Sequence, residues 1–583
     1  MRLDVLREIP DDSSLRADWN ALALRMEHPQ VFYTYEWALA VYRSYRSVGN
    51  TLLFLAYDDL NALCGVAALR LDPASRTICF LTANTGDYCD FLSAAERRAE
   101  FVSAALSELK KMGVRSLVFT NLPADSATVA AISGGARNHG LRCHMRTAYR
   151  CAQVQLQSKQ AGPAPDPVPS HKKILRRFVN AMGRENPVRL EHRRTWEAIE
   201  PVLPEFRRAH VARFLVTGRI SNLARPERHV FLTELAKLLS ESGWVALTRM
   251  VSGDRVFAWN YGFLFQGTWF WYQPTFDSDV EKYSPGFCLL AKIVEEASGN
   301  PAVNVVDLGL GAEDYKDRFA NQIRETLYVS LQNSALRHCR EIVRDQAAAW
   351  VKARPPLERA IRSAILIGRG WTRGLPWQNV LSLSRRRFRD WWLGCECFCS
   401  GNQSVCGEIE GVQLCAMDLN HLAAAAMEYV DDEDTLSYLL RATRRLRSKQ
   451  AEGFVLADAK GMPLHFVWQA PAYTSLAKNY RAPAGVFNGQ DTVLLDAWTP
   501  GALRGRGHCV QALRLIAKDA SIRSRRVWAY SSSGQELWER ALLEAGFWKR
   551  FSLRRNSIFQ RRPKTPTSTP SDEISAQGVS ARV

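Results

Sequence analysis

Two short loops in this chain combine glycine, positive charge and a helix start in a way that could hold a phosphate. The first reads Arg504-Gly505-Arg506-Gly507-His508-Cys509 and stands between a strand-like run at 492–498 and an apolar run of helical spacing at 509–520. The first turn of a helix leaves backbone N–H groups unpaired and carries partial positive charge, so an anion is stabilised there. Gly505 and Gly507 let the backbone come close to such a group, and Arg504 and Arg506 add charge. The plainer account is a glycine turn that only reverses the chain. The strand before it, the helix after it, and a further strand and helix ending in Ala545-Gly546-Phe547 favour the phosphate loop. The second loop, Tyr283-Ser284-Pro285-Gly286, also follows a strand and opens a helix, at 287–297. Proline at a helix start costs no hydrogen bond and Gly286 leaves room for a ligand, although by itself Ser284 reads most simply as an N-cap.

The elements that must carry these loops are legible from periodicity. An aromatic helix at 31–46 precedes strand-like runs at 51–57, 62–71 and 76–81, then a helix at 94–112, a strand from 116, a helix near 130 and a strand at 149–156. The proline-rich stretch at 158–170 has nothing to bury and reads as a linker. A basic helix, HKKILRR, opens the next unit, with further helices at 196–210 and 228–242. Three strands joined by tight turns follow, GWVALTRMV, RVFAWNYGFLF and TWFWYQP, and they read as an antiparallel meander. The unit closes with the helix at 287–297, the strand VNVVDLGL, a short helix at 314–320 and the strand TLYVSL. These breaks divide the chain into 1–157, a linker at 158–170, 171–333, a basic helical connector at 334–393, 394–562 and a disordered tail at 563–583.

RGRGHC resembles the acyl-CoA pyrophosphate loop of the GNAT acetyltransferases, Q/R-x-x-G-x-G/A, with Arg504 and Gly507 in register. The stretch before it is similar to the CelD/BcsL-like branch of the FemAB group of acyltransferases, whose motifs are Y-x-P-x-F, then Y-S-P-G, then D-x-x-x-G-x-x-x-Y-K. Here they stand as Tyr272-Gln273-Pro274-Thr275-Phe276, as Tyr283 to Gly286, and as Asp307 through Gly311 to Tyr315-Lys316, and the likeness spans about 31–331. It implies an α/β (α+β) fold of tandem GNAT-like halves, with mixed, mostly antiparallel sheets flanked by helices, and a further GNAT-like domain at 394–562. It also implies acetyl-CoA or another acyl-CoA as co-substrate, with no metal. Tyr283, Ser284 and Gly286 would hold it in one unit, and Arg504, Gly505, Arg506, Gly507 and His508 in the other.

Such a fold must let an amine or hydroxyl attack a thioester carbonyl, which needs a proton acceptor, an oxyanion donor and a held thiol. Asp314 is the first choice of base, with Asp307 second, and Tyr315 and Lys316 would donate or hold a phosphate. The competing account of that pair is a short amphipathic helix, Tyr315 inward and Lys316 outward. In the last unit Asp496 is the candidate base; Leu542 stands where GNAT enzymes often place a tyrosine acid, leaving Tyr530 as another donor.

Other constellations are weaker. Cys395, Cys397 and Cys399 alternate as residues on one strand face do, and lack the paired C-x-x-C knuckles of a zinc site. Gly309-Leu310-Gly311 lacks the rest of a dinucleotide fingerprint, and no G-x-x-x-x-G-K-[ST] loop occurs. His210 and His229 read as surface or satisfied core residues.

A net charge of +18 over 583 residues favours anionic partners without choosing among them. Thirteen scattered cysteines argue for reduced thiols and a cytoplasmic setting, and no signal peptide or membrane span is evident. The reading is an acyl-CoA-dependent N- or O-acyltransferase acting on a small molecule, a sugar or a cell-surface polysaccharide precursor. The basic segment 352–390 could lie on a membrane surface or anionic polymer, and nucleic acid is not expected as a partner. Two rivals are aminoacyl transfer from tRNA to a peptidoglycan precursor, and a non-catalytic GNAT-fold binding protein.

Overall fold

Runs rich in aromatic and β-branched residues form the strands, because such side chains pack well on a pleated surface. A computed structural model describes residues 1–45, 50–156, 172–311, 313–352, 354, 395–400, 411–449, 451–472, 480–481, 486–523, 525–532 and 535–555. The expected linker 158–170, the tail 563–583 and nearly all of the basic segment 352–390 lie outside those residues. The chain divides into two compact units, one drawn from 1–374, 411–466 and 498–504, the other from 375–410, 467–497 and 505–583.

The first unit is built on a thirteen-stranded sheet. In chain order its strands are β1 (Arg2–Leu6), β2 (Asn50–Tyr57), β3 (Leu63–Asp72), β4 (Thr77–Phe80), β5 (Leu92–Ser93), β6 (Ser116–Pro123), β7 (Arg142–Gln155), β8 (Arg189–Arg193), β9 (Val245–Ser252), β10 (Arg255–Phe265), β11 (Thr268–Phe276), β12 (Val305–Leu310) and β13 (Gln322–Gln332). The spatial order is β1-β2-β3-β4-β6-β13-β7-β12-β11-β10-β9-β8, with β5 on β3. The meander β9-β10-β11 is antiparallel, as the sequence implied. Only β4 with β6 and β11 with β12 run parallel in this sheet, so it is mixed and mostly antiparallel.

β7 and β13 are exchanged between the two halves. β7, the last strand of the first half, pairs with β12 of the second, and β13 pairs with β6 of the first. The two exchanged strands also pair with each other from Gln322 opposite Gln153 to Gln332 opposite Arg142. Each half is thus completed by the other's final strand, which makes one continuous hydrogen-bonded sheet of both.

Two apolar clusters back the halves: Phe54, Phe80, Phe91, Phe101 and Phe119 in the first, and Trp269, Trp271, Leu289, Ile293 and Val306 in the second. Between them Phe32 and Trp37 meet Phe263, Phe270 and Tyr272 with ring centroids 5.1–6.4 Å apart, mostly edge to face.

The remaining strands in chain order are β14 (Cys395–Ser400), β15 (Val412–Ala416), β16 (Glu452–Asp458), β17 (Pro463–Pro471), β18 (Tyr480–Arg481), β19 (Thr492–Trp498), β20 (Val527–Ser532) and β21 (Phe547–Arg555). In the second unit β14 lies between β20 and β21, and β19, counted here to Ala497, runs parallel to β20. Cys395, Cys397 and Cys399 are all buried in apolar surroundings, and every described cysteine is a free thiol. Among the described residues no group of side chains has the arrangement of a metal site.

Candidate active site

The geometry that matters begins where β11 and β12 part. They pair at Thr268 with Val305, Trp269 with Val306 and Phe270 with Asp307, and no further, although β11 runs on to Phe276 and β12 to Leu310. The parting leaves the edges of Trp271–Phe276 and Leu308–Leu310 without each other's backbone groups. Against β7, β12 bulges between Asp307 and Leu310, where Gly309 takes φ +71°. A Cβ on Gly309 would lie 2.5 Å from Asp87 Oδ2, so the missing side chain is what admits that carboxylate.

Asp87 comes from the first half, and sequence reasoning missed it. The Leu310 N–H dipole favours its ionised form. The Leu310 carbonyl accepts from Lys316 Nζ at 2.8 Å, and the same ammonium is 2.6 Å from Glu313. Burial, and then the negative charge of Asp307, push the Asp87 carboxyl up to about 7 against the pull of Lys316 and Arg228. The residue keeps partial solvent exposure, so a proton can come and go. A half-buried carboxylate titrating near neutrality at a strand opening is the profile of a general base.

Asp307 sits beside it but is differently employed. It is 1% exposed, and its oxygens accept from Tyr88 Oη, Gln153 Nε2 and the Gly309 N–H, each at 2.8 Å. Tyr88 belongs to the first half and Gln153 to the exchanged β7, so the first half fixes this carboxylate as well. Asp314 opens the short helix Asp314–Asp317, and its side chain lies outside the described residues. Tyr315 is turned inward, its hydroxyl accepting from Trp271 Nε1 at 3.3 Å, and burial raises its pKa. Lys316 is buried too, at 4% exposure, rather than pointing outward. The Leu310 carbonyl gives its ammonium an inward partner and the exposed Glu313 carboxylate an outer one, and these together outweigh the usual preference of lysine for water.

Beyond the opening, β11 leads through Ser278–Tyr283 to the helix Pro285–Ser298. Ser284 takes φ +47° at its start and makes no side-chain cap bond, so the N-cap account does not describe it. A Cβ on Gly286 would stand 3.2 Å from the Phe276 ring, so this glycine serves close packing of helix on strand. Tyr283 and Tyr315 pack against one apolar cluster. Cations flank the opening: Arg213 donates to the Pro274 carbonyl at 3.0 Å and lies over the Phe276 ring, Lys282 over Tyr283 and Arg318 over Phe287. An unpaired helix start among cations, beside parted strands, fits a phosphorylated thioester.

The matching opening of the first half, beyond Cys79 of β4 and Val118 of β6, is filled by its own chain. Asn121, at φ +60°, donates to the carbonyls of Ala83 at 3.2 Å and Gly86 at 2.9 Å, and its carbonyl accepts from the Cys89 N–H at 2.9 Å. That clamp holds the segment carrying Asp87 and Tyr88. His210 is buried with Ser221 at 2.8 Å, and burial lowers its pKa to about 3, a satisfied core histidine.

In the other loop Arg504 belongs to the first unit, where its guanidinium lies 5.0 Å over Trp498 and donates to the Thr499 carbonyl at 3.2 Å. Gly505, Arg506, Gly507 and His508 belong to the second. Gly507 caps the helix His508–Ile522 at φ +80° with open space where a Cβ would be, and His508 Nδ1 is 3.1 Å from Gln511. β19 and β20 pair only at Thr492 with Val527 and Val493 with Trp528 before parting, the same strand-loop-helix-strand plan as β11 to β12. Asp496 lies near the end of β19 at φ +46°. Leu542 is fully buried in the helix Glu536–Glu544.

Residues 169–317 match the family described as Acetyltransferase (GNAT) domain. The chain carries a GNAT acetyltransferase domain. That domain makes the protein an acyltransferase, a class whose co-substrate is in general an acyl-CoA. The matched region ends at Asp317 and contains β8 to β12, the parted strands and Lys316, whereas Asp87, Tyr88 and Gln153 lie before it. Solved structures similar to this chain include L-PGS from Bacillus licheniformis, at 9% identity and TM-score 0.37, covering 56% of this chain and 94% of that one. FemX is similar at 10% identity and TM-score 0.41, covering 58% and 99%. A tandem GNAT protein from the clavulanic acid biosynthesis pathway is similar at 12% identity and TM-score 0.33, covering 56% and 98%. A search of curated proteins returns no match.

Proposed function

We propose that this protein transfers an acyl group, acetyl in the first instance, from coenzyme A to an amine or hydroxyl of a sugar or cell-surface polysaccharide precursor. The CelD/BcsL-like motifs support the acceptor class, and the free thiols accord with work in the cytoplasm. The observation that carries the reading is Asp87 seated against Gly309 where β11 and β12 part. In this account the acceptor's nucleophile attacks the thioester carbonyl while Asp87 takes its proton, and the thiolate leaves as the C–S bond breaks. Asp307 positions the bulge, Lys316 holds the Leu310 peptide and moderates Asp87, and backbone N–H groups freed by the parting receive the developing oxyanion. Tyr283, Ser284 and Gly286 with the surrounding cations receive the pyrophosphate. The loop Gly505 to His508 is a second coenzyme loop, in the second unit.

Thiol release from acetyl-CoA by the full chain, measured across a panel of amino sugars and sugar alcohols, tests this. Acceptor-dependent release supports the proposal. Transfer from aminoacyl-tRNA with no coenzyme binding would replace it by the peptidoglycan rival, and coenzyme binding without release for any acceptor would favour a binding protein.

A further inference from the structure

The helix Ala335–Lys352 is amphipathic in an inverted sense. The side that lies on the sheet is polar: Glu341 accepts from Tyr328 Oη and Ser330 Oγ at 2.6 Å and from Gln332 Nε2 at 3.2 Å, and Asp345 accepts from His144 at 3.0 Å and Arg146 at 2.8 Å. His338, Glu341, Ile342 and Asp345 share this half-buried face. On the opposite side stand Leu336, Val343 and Trp350, seven residues apart and 80%, 64% and 54% exposed. A spacing of seven is almost two helical turns, so they form one ridge about 180° from the docked carboxylates. Single exposed apolar side chains need no explanation, but a row of three ending in tryptophan, on a helix already anchored by its acids, is a presented surface.

The charges beside the ridge say what covers it. Both acids of the helix are spent on the sheet, while Arg337, Arg340 and Arg344 run along the ridge's flank and, among the described residues, make no ion pair. Arg354 lies 3.9 Å over the Trp350 ring. Leu331 and Asn333, which lead into the helix, line a cavity of about 440 Å³ whose charged walls are Lys110 and Arg115, with no carboxylate among its lining residues. A second copy placed ridge to ridge would bring the arginine rows together. The chain's own continuation, 354–390, holds nine arginines against two acids and would be repelled likewise. A surface that is apolar beneath and negative above satisfies both ridge and flank, and no described helix is long and apolar enough to cross a bilayer.

We propose that the helix Ala335–Lys352 docks this protein on an anionic phospholipid surface, the ridge of Leu336, Val343 and Trp350 entering the headgroup boundary and the arginines meeting phosphates. The test is co-sedimentation of the full chain with vesicles of equal parts phosphatidylglycerol and phosphatidylcholine, and of phosphatidylcholine alone. Binding is expected only to the anionic vesicles. Leu336→Gln, Val343→Gln and Trp350→Gln together should weaken it about tenfold or more without lowering the melting temperature, since all three are exposed. Arg337→Gln, Arg340→Gln and Arg344→Gln together should weaken it about a hundredfold and flatten its salt dependence. Equal binding to neutral vesicles, no binding at all, or an apolar triple variant that binds as tightly as the parent overturns the proposal. So does sedimentation showing a vesicle-free dimer that the apolar triple dissociates, which gives the ridge to a second copy.

Discussion

Replacing Asp87 by Asn should trade activity for stability, with both effects set by one ionisation. Folded Asp87 titrates at about 7 against 3.8 for an unperturbed aspartate. A raised carboxyl pKa means the folded state holds its proton to higher pH than the unfolded chain does. The penalty is absent below about pH 4, grows as pH rises toward 7, and is constant above. Its ceiling is about 4 kcal/mol, and the partial exposure of Asp87 reduces the expectation to roughly 2–4 kcal/mol. Asparagine keeps the size of the side chain but carries no charge. Asp87→Asn should therefore melt higher than the parent at pH 8 and level with it at pH 4, by calorimetry. As the base, Asp87 must be ionised: parent kcat/KM should rise through pH 7, lying about tenfold below its plateau at pH 6. The variant should lose about 10²–10⁴-fold and the acid limb with it. Lys316→Met, which removes a charge that lowers the Asp87 pKa, should move the limb to higher pH. A variant with parental rate and profile, or with no stability gain at pH 8, would refute the assignment of Asp87.

Three further outcomes follow from the geometry. Gly309→Ala puts a Cβ 2.5 Å from Asp87 Oδ2 at φ +71°, so it should lower turnover sharply and destabilise by about 1–3 kcal/mol, read by kinetics and thermal melts. Gly286→Asp and Gly507→Asp, each compared with its Ala counterpart to remove packing and backbone strain, should reveal by calorimetry which loop holds coenzyme: the occupied one loses affinity through carboxylate repulsion, the other does not. Because β7 lies between β12 and β13, a fragment of 170–331 should fail to give a cooperative melt alone and should recover one when 1–156 is supplied in trans.

Much of this protein was written locally. The meander β9 to β11, the helix opened by Pro285-Gly286, the helix after Gly507 and the buried face of alternating cysteines follow from periodicity and turn chemistry, which act over a few residues. The motif ending in Tyr315-Lys316 likewise falls at the end of β12 and on the short helix after it. What the chain order could not reveal was the company those residues keep. Asp87 lies 220 residues before Asp307, and only the long-range pairing of the two halves brings a carboxylate from one against a glycine of the other. The exchange of β7 and β13 is equally silent in sequence, since a strand's pattern specifies its faces but not its neighbour. Burial did the rest: it closed Asp307 in among three donors, turned Lys316 inward, raised Asp87 toward neutrality, and set the acids of the helix Ala335–Lys352 against the sheet so that its apolar side chains face out.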